Sequence, residues 1–371
     1  MSHPYPDPDF PPRILLGPGP SMVPPRVLRV MATPPVGHLD AAYLKIMDAT
    51  QELLQTVFGT SNALTLVVPG TGSAGMEAAV ANMVEPGTPV LVCANGYFGL
   101  RIAEMARRYG GQVRTLTRPW GEVFTADDVR AALEEAPAEV VAIVHGETST
   151  GALQPIAPIA EVVHAAGGVL IVDTVASLGG VPFSVDEAGA DVCYTGSQKC
   201  LSAPPGLAPI TLSPRAVERL EQRTTPVTSW YLDLMLLRQY WDERRVYHHT
   251  GPVNMGVALY EALRLVVEEG LEVRWQRHRA CAEQLWAGLE ALGLAMHVPP
   301  EHRLASLTTV RVPEGVDEAT IRREMMTRYN IEISGGLGEL KGKVWRVGLM
   351  GYSARPENVL LLLAALEELL S

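Results

Sequence analysis

Short apolar runs without polar alternation recur through the first two thirds of this chain, separated by helix-like stretches. That grammar restricts the fold more than any other feature. Residues 63–68, 90–93, 139–144, 169–172 and 191–195 read as strands, and 73–84, 98–109 and 156–166 as helices between them. Strands that stay apolar on both faces belong to a mostly parallel sheet covered by helices, so the expected class is α/β. Residues 254–292 read as two or three long helices. Beyond them the pattern changes. Residues 307–312 alternate, as a half-exposed antiparallel strand does, and are followed by a helix (317–329), two strands (331–334 and 343–348) and a last helix (356–370). The expected organisation is a Pro-rich arm (1–20), a large domain (21–255) and a smaller α+β domain (256–371).

Composition removes several function classes. The 371 residues carry a net charge of −11, which argues against the basic surface that nucleic acid requires. No run of 18 apolar residues suggests a membrane span, and the first residues show no signal-peptide pattern. Cys93, Cys193, Cys200 and Cys281 have neither metal-ligand spacing nor the density of a disulfide scaffold, which suits reduced thiols and a cytoplasmic setting.

Two strand ends carry the chemistry. The run 168–172 ends in Asp173, and the strand at 191–195 is followed by Gly196-Ser197-Gln198-Lys199. Each residue alone has a plain reading: Asp173 as a strand-end acid, Lys199 as a surface lysine. Together, just past buried strands, they stand where open α/β sheets bind ligands. A Schiff-base lysine and an acid on the pyridinium nitrogen are the two protein groups pyridoxal phosphate most needs. Gly70-Thr71-Gly72-Ser73-Ala74-Gly75 lies between the first strand and its helix, where amides and hydroxyls make an anion site. Its spacing also fits a dinucleotide-binding turn, but the next strand ends in Ala94-Asn95-Gly96 rather than in an acid. Arg346 interrupts an apolar strand. It is either an outward-facing residue or a buried guanidinium suited to a carboxylate ligand. His248 and His249 invite a metal reading, but neighbours on a strand or helix point apart, and no metal is expected. Cys200 reads as packing.

These residues, with the blocks His145-Gly146-Glu147-Thr148-Ser149-Thr150-Gly151, Val172 to Gly180, Gly196 to Lys199, Tyr247-His248-His249-Thr250 and Trp345-Arg346-Val347-Gly348, resemble the class V aminotransferases of pyridoxal phosphate fold type I. The similarity is to the alanine–glyoxylate, serine–glyoxylate and serine–pyruvate group and runs nearly end to end. The resemblance implies that Lys199 is the Schiff-base lysine, that Asp173 meets the pyridine nitrogen and that Val175 lies under the ring. It places Thr71, Gly72, Ser73 and Gln198 around the phosphate, Thr148 near the ring oxygen, Phe98 stacked on the ring and Arg346 on the substrate carboxylate. It assigns Tyr247 and Thr250 to the phosphate of the neighbouring subunit's cofactor, hence a homodimer with shared sites.

The implied activity is transamination of a small amino acid, alanine or serine, with glyoxylate or pyruvate. One alternative is the related (S)-ureidoglycine–glyoxylate aminotransferase. That family carries glutamine at the position of His38 and asparagine at that of Tyr247, and this chain has neither. A second alternative, a nicotinamide-dependent oxidoreductase, rests on the glycine turn alone. A cysteine desulfurase would need a loop cysteine in the last third, and none follows Cys281.

Overall fold

The computed structural model describes residues 9–371. The first eight residues of the expected arm lie outside that range. A seven-stranded sheet runs in the order Leu64–Pro69, Leu207–Leu212, Val192–Tyr194, Val169–Asp173, Val140–Val144, Pro89–Ala94 and Gln112–Thr117. Four successive pairings are parallel. Only Leu207–Leu212 is reversed, antiparallel to both of its neighbours. The interior strands are buried almost throughout, as expected for uninterrupted apolar runs under two helical layers.

Two of these strands go unrecognised in the sequence. Gln112–Thr117 is one of the two edge strands. It is partly exposed and polar, so it lacks the apolar run that marks the others. Leu207–Leu212 contains Pro209, which cannot donate to a sheet and argues against an interior strand. Pro209 is nevertheless paired with Val67, and its carbonyl accepts from the Thr195 amide at 2.9 Å.

The smaller body carries a three-stranded antiparallel sheet with Val344–Gly348 between Leu307–Arg311 and Ser334–Gly335. Its core gathers Leu285, Leu289, Met325, Trp345, Val347 and Leu362. Leu307–Arg311 is not half-exposed as its alternation suggests: Leu307 to Val310 are all buried. The polar face packs inward, where Thr308 accepts a hydrogen bond from the Trp286 indole at 2.8 Å. The boundary expected after residue 255 falls within the continuous helix Val253–Glu269. Its Ala258, Leu259, Leu263 and Val266 belong to the large core.

The arm is tied to its own chain. Ile14–Leu15 pairs in parallel with Ile331–Glu332, and Leu16 is fully buried in the small core. Gly348 donates to the Leu16 carbonyl at 2.8 Å. A Cβ at Gly348 would stand 2.0 Å from the Gly17 carbonyl, so only glycine permits this crossing. Past it, the arm enters the cleft at the C-terminal ends of the parallel strands.

Candidate active site

Thr71, Gly72, Ser73, Phe98, Thr148, Asp173, Val175, Gln198 and Lys199 line one cavity. They are brought there by five chain segments that leave the same end of the sheet, after residues 69, 94, 144, 173 and 194. Parallel strands deliver their following loops to one side, which is why residues distant in sequence converge.

Asp173 closes its strand and is 2% exposed. Its Oδ1 accepts from the Val175 amide at 2.8 Å, and its Oδ2 from the Tyr194 hydroxyl at 2.9 Å. Burial pushes its pKa up to about 6, with the Val175 and Tyr194 hydrogen bonds pulling the other way. A carboxylate held this way keeps both oxygens oriented and awaits a cationic partner. Lys199 is mostly enclosed, and burial lowers its pKa to about 8, which favours the nucleophilic free amine. Its Nζ donates to the Pro18 carbonyl of the arm. Gly19 lies against the same side chain. It has φ +112°, and a Cβ there would stand 2.6 Å from the Lys199 Cδ and Nζ.

Thr71 is the N-cap of the helix Gly72–Met83 but makes no side-chain cap bond. The first amides of this helix are therefore left without the usual side-chain acceptor, at the end where the helix dipole favours an anion. Gly72 has no room for a side chain, since a Cβ would meet the Val175 methyls at 3.0 Å. The Gln198 Oε1 is buried without a hydrogen-bond partner among the described residues. Phe98 lies in the first turn of the helix Tyr97–Arg108, and that turn is fixed by Glu147. This buried carboxylate accepts from the Phe98 and Gly99 amides at 3.1 and 3.4 Å, and from the Ser149 hydroxyl at 2.6 Å. Burial raises its pKa, and those hydrogen bonds offset part of the rise.

Arg346 is 6% exposed, so it does not face outward. Its Nε donates to the Gly335 carbonyl at 2.7 Å and one terminal nitrogen to the Thr148 carbonyl at 3.1 Å. No carboxylate among the described residues pairs with it. Burial lowers its pKa to about 10, opposed by the nearby Glu147 charge. Thr148 thus links the cavity wall to this guanidinium.

Tyr247 and Thr250 are not in the cavity; both are exposed. The Tyr247 ring lies 5.4 Å from that of His38. His248 and His249 do not point apart. They lie outside helix and strand, and their Nδ1 atoms share a hydrogen bond at 2.9 Å. Three cavity features are absent from the reading of the sequence: the Tyr194 hydroxyl on Asp173, Arg101 in the cavity wall, and the Pro18–Gly19 contact with Lys199. Arg101 alone had a local signal, standing three positions beyond Phe98 on a helix.

An enclosed lysine, a buried carboxylate and an uncapped helix start suit the aldehyde, ring nitrogen and phosphate of pyridoxal phosphate respectively. The dinucleotide reading loses its basis: the strand-end Asn95 uses its amide to hold the Glu122 carbonyl at 2.6 Å, and in helix Gly72–Met83 Gly75 serves packing, with a Cβ there meeting Ala208 at 3.0 Å.

Known proteins agree with this geometry. Residues 14–353 match the family model for Aminotransferase class-V. An alanine–glyoxylate aminotransferase structure from Nostoc sp. superposes with TM-score 0.98 at 52% identity, covering 99% of this chain and 97% of that one. Alanine–glyoxylate aminotransferase of Rattus norvegicus is 43% identical over 97% of this chain and 88% of its own. The (S)-ureidoglycine–glyoxylate transaminase of Bacillus subtilis (strain 168) is 42% identical over 96% of this chain and 90% of its own. On the match along most of its length and the cavity that length builds, the chain belongs to the class V aminotransferases and uses pyridoxal phosphate.

Proposed function

We propose that the enzyme transfers the amino group of a small amino acid, alanine or serine, to glyoxylate or pyruvate. The observation that carries this reading is Arg346, a buried guanidinium beside the cavity with no carboxylate partner among the described residues. Its bonds to the Gly335 and Thr148 carbonyls leave its charge unmatched, and its remaining terminal N–H groups suit one carboxylate held by two parallel bonds. The names of the relatives support the same substrate class.

Pyridoxal phosphate, when bound, supplies an aldehyde that exchanges with amines and a ring that accepts the electrons released at the substrate Cα. The amides of Gly72 and Ser73, with Thr71 and Gln198, would hold its phosphate, and Val175 and Phe98 its ring. Asp173 would keep a proton on the ring nitrogen. Lys199 would hold the aldehyde until an amine displaces it, and as a free amine it would then move the proton of the substrate Cα across the nitrogen to the carbon that was the aldehyde. Its lowered pKa suits both halves of that transfer. Once freed, its ammonium has the Pro18 carbonyl as an acceptor. Arg346 keeps the Cα bond aligned while the proton moves.

The active unit is a homodimer in this reading. Tyr247 and Thr250, exposed in the single chain, reach the phosphate in the other subunit's site. Trp230, Tyr231 and Val246 are exposed in nearby segments. Such neighbouring apolar side chains support an interface there. A cytoplasmic setting accords with four free, buried cysteines.

The ureidoglycine reading is kept by the 42% identity to the Bacillus subtilis enzyme. Against it stand His38 and Tyr247, whose rings meet in place of two carboxamides. A donor panel of alanine, serine, glycine and ureidoglycine against glyoxylate and pyruvate decides between them. Alanine or serine should give the highest kcat/KM. A preference for ureidoglycine of tenfold or more would overturn the proposal.

A further inference from the structure

The cavity holds one cation to which the sequence resemblance gives no role. Arg101 lies on the helix Tyr97–Arg108, one turn beyond the Tyr97–Phe98 pair. Residues three and four apart share a helix face, so its side chain folds back over both rings. The guanidinium carbon is 4.7 Å from the Phe98 ring centre and 5.2 Å from that of Tyr97. Its Nη1 donates to the Ser73 hydroxyl at 3.1 Å. No acidic residue pairs with it among the described residues, although the chain has more acids than bases.

A part-buried guanidinium without a carboxylate partner indicates an anion supplied from elsewhere. Lys199 is the other cation lining the cavity, and it is committed to the aldehyde. Arg346 is bound elsewhere, to the carbonyls of Thr148 and Gly335. Ser73 stands at the start of the helix Gly72–Met83, so Arg101 is anchored where that dipole already favours negative charge. A phosphate there would face neutral amides and hydroxyls of this chain, plus one full positive charge.

We propose that Arg101 is a cofactor ligand, its guanidinium binding the phosphate of pyridoxal phosphate beside Ser73. The same contact holds Phe98 in place, because the cation rests on that ring. This inference rests on the pyridoxal phosphate site described above.

Calorimetric titration of the apoprotein with pyridoxal 5′-phosphate and with pyridoxal separates this role from packing. Arg101→Gln should weaken pyridoxal 5′-phosphate about 30-fold, the loss expected for a charged hydrogen-bond donor to an anion. Pyridoxal, which has no phosphate, should change less than about threefold. Arg101→Lys keeps the charge and should recover most of the loss. Inorganic phosphate should raise the Tm of the wild-type apoprotein and leave that of Arg101→Gln nearly unmoved. Equal weakening of both ligands would overturn the proposal by showing that Arg101 only packs against Phe98. Unchanged affinity for pyridoxal 5′-phosphate would overturn it as well. If the wild type bound neither ligand, the cofactor assignment itself would fall, and this inference with it.

Discussion

Replacing Asp173 by asparagine removes one charge while leaving the surroundings able to adapt. The asparagine oxygen can keep the Val175 amide, and its NH2 can face Tyr194, whose hydroxyl turns to accept. The fold should therefore survive, and the change isolates the carboxylate charge. A carboxylate and a protonated ring nitrogen about 4 Å apart, at an effective dielectric near 20, interact by roughly 4 kcal/mol. That corresponds to about a thousandfold in rate. We expect kcat for alanine with glyoxylate to fall by about that factor at saturating cofactor, with a much smaller change in KM. The apoprotein should respond oppositely. In the folded state Asp173 has its pKa raised to about 6 by burial, above its unfolded value, so the folded chain binds more protons between the two. Stability from this group is present below the unfolded pKa and is lost as pH rises through about 6. Asp173→Asn should thus raise the apoprotein Tm above pH 7 and leave it little changed near pH 4. A kcat within tenfold of wild type at full cofactor occupancy would refute the electron-sink role given to Asp173.

Other changes test other parts of the site. Arg346→Lys should lower kcat/KM for alanine by roughly 2–4 kcal/mol, because an ammonium cannot make the two parallel bonds of the guanidinium. Cofactor affinity should hold, and its collapse with intact alanine kinetics would move Arg346 to the phosphate site. Gly19→Ala should sharply reduce turnover, since a Cβ 2.6 Å from the Lys199 side chain at φ +112° forces the lysine or the arm aside. Activity near wild type would show that the arm does not position Lys199. Sedimentation at assay concentration should find a dimer, and a fully active monomer would remove Tyr247 and Thr250 from the phosphate site.

The sequence shows the two key groups because each follows a strand whose burial is written in consecutive apolar residues. That pattern alone places Asp173 and Lys199 at the same end of the sheet. The glycine loop at 70–75 was visible for the same reason. What stays hidden depends on contacts between distant segments. Tyr194 reaches Asp173 from the adjacent strand, and Gly19 meets Lys199 only because the arm crosses Gly348. Pro209 disguises an interior strand, and the polar edge strand Gln112–Thr117 lacks the apolar run that marked its neighbours. In the smaller body, alternation at 307–312 suggests solvent, where the strand Leu307–Arg311 instead has a second packed face. Helix or strand geometry would point His248 and His249 apart, but their segment is neither, which lets the rings meet.

The proposed chemistry requires that Lys199 carry the cofactor. The chain has four lysines, Lys45, Lys199, Lys341 and Lys343, so the site of attachment can be read without ambiguity. Borohydride reduction of the cofactor-loaded enzyme, followed by digestion and peptide mass spectrometry, fixes the cofactor to the amine that holds it. A phosphopyridoxyl group should appear on the peptide containing Lys199 and be lost when alanine is added before reduction. A modification confined to Lys45, Lys341 or Lys343, or none at all in an enzyme that turns over, would contradict it.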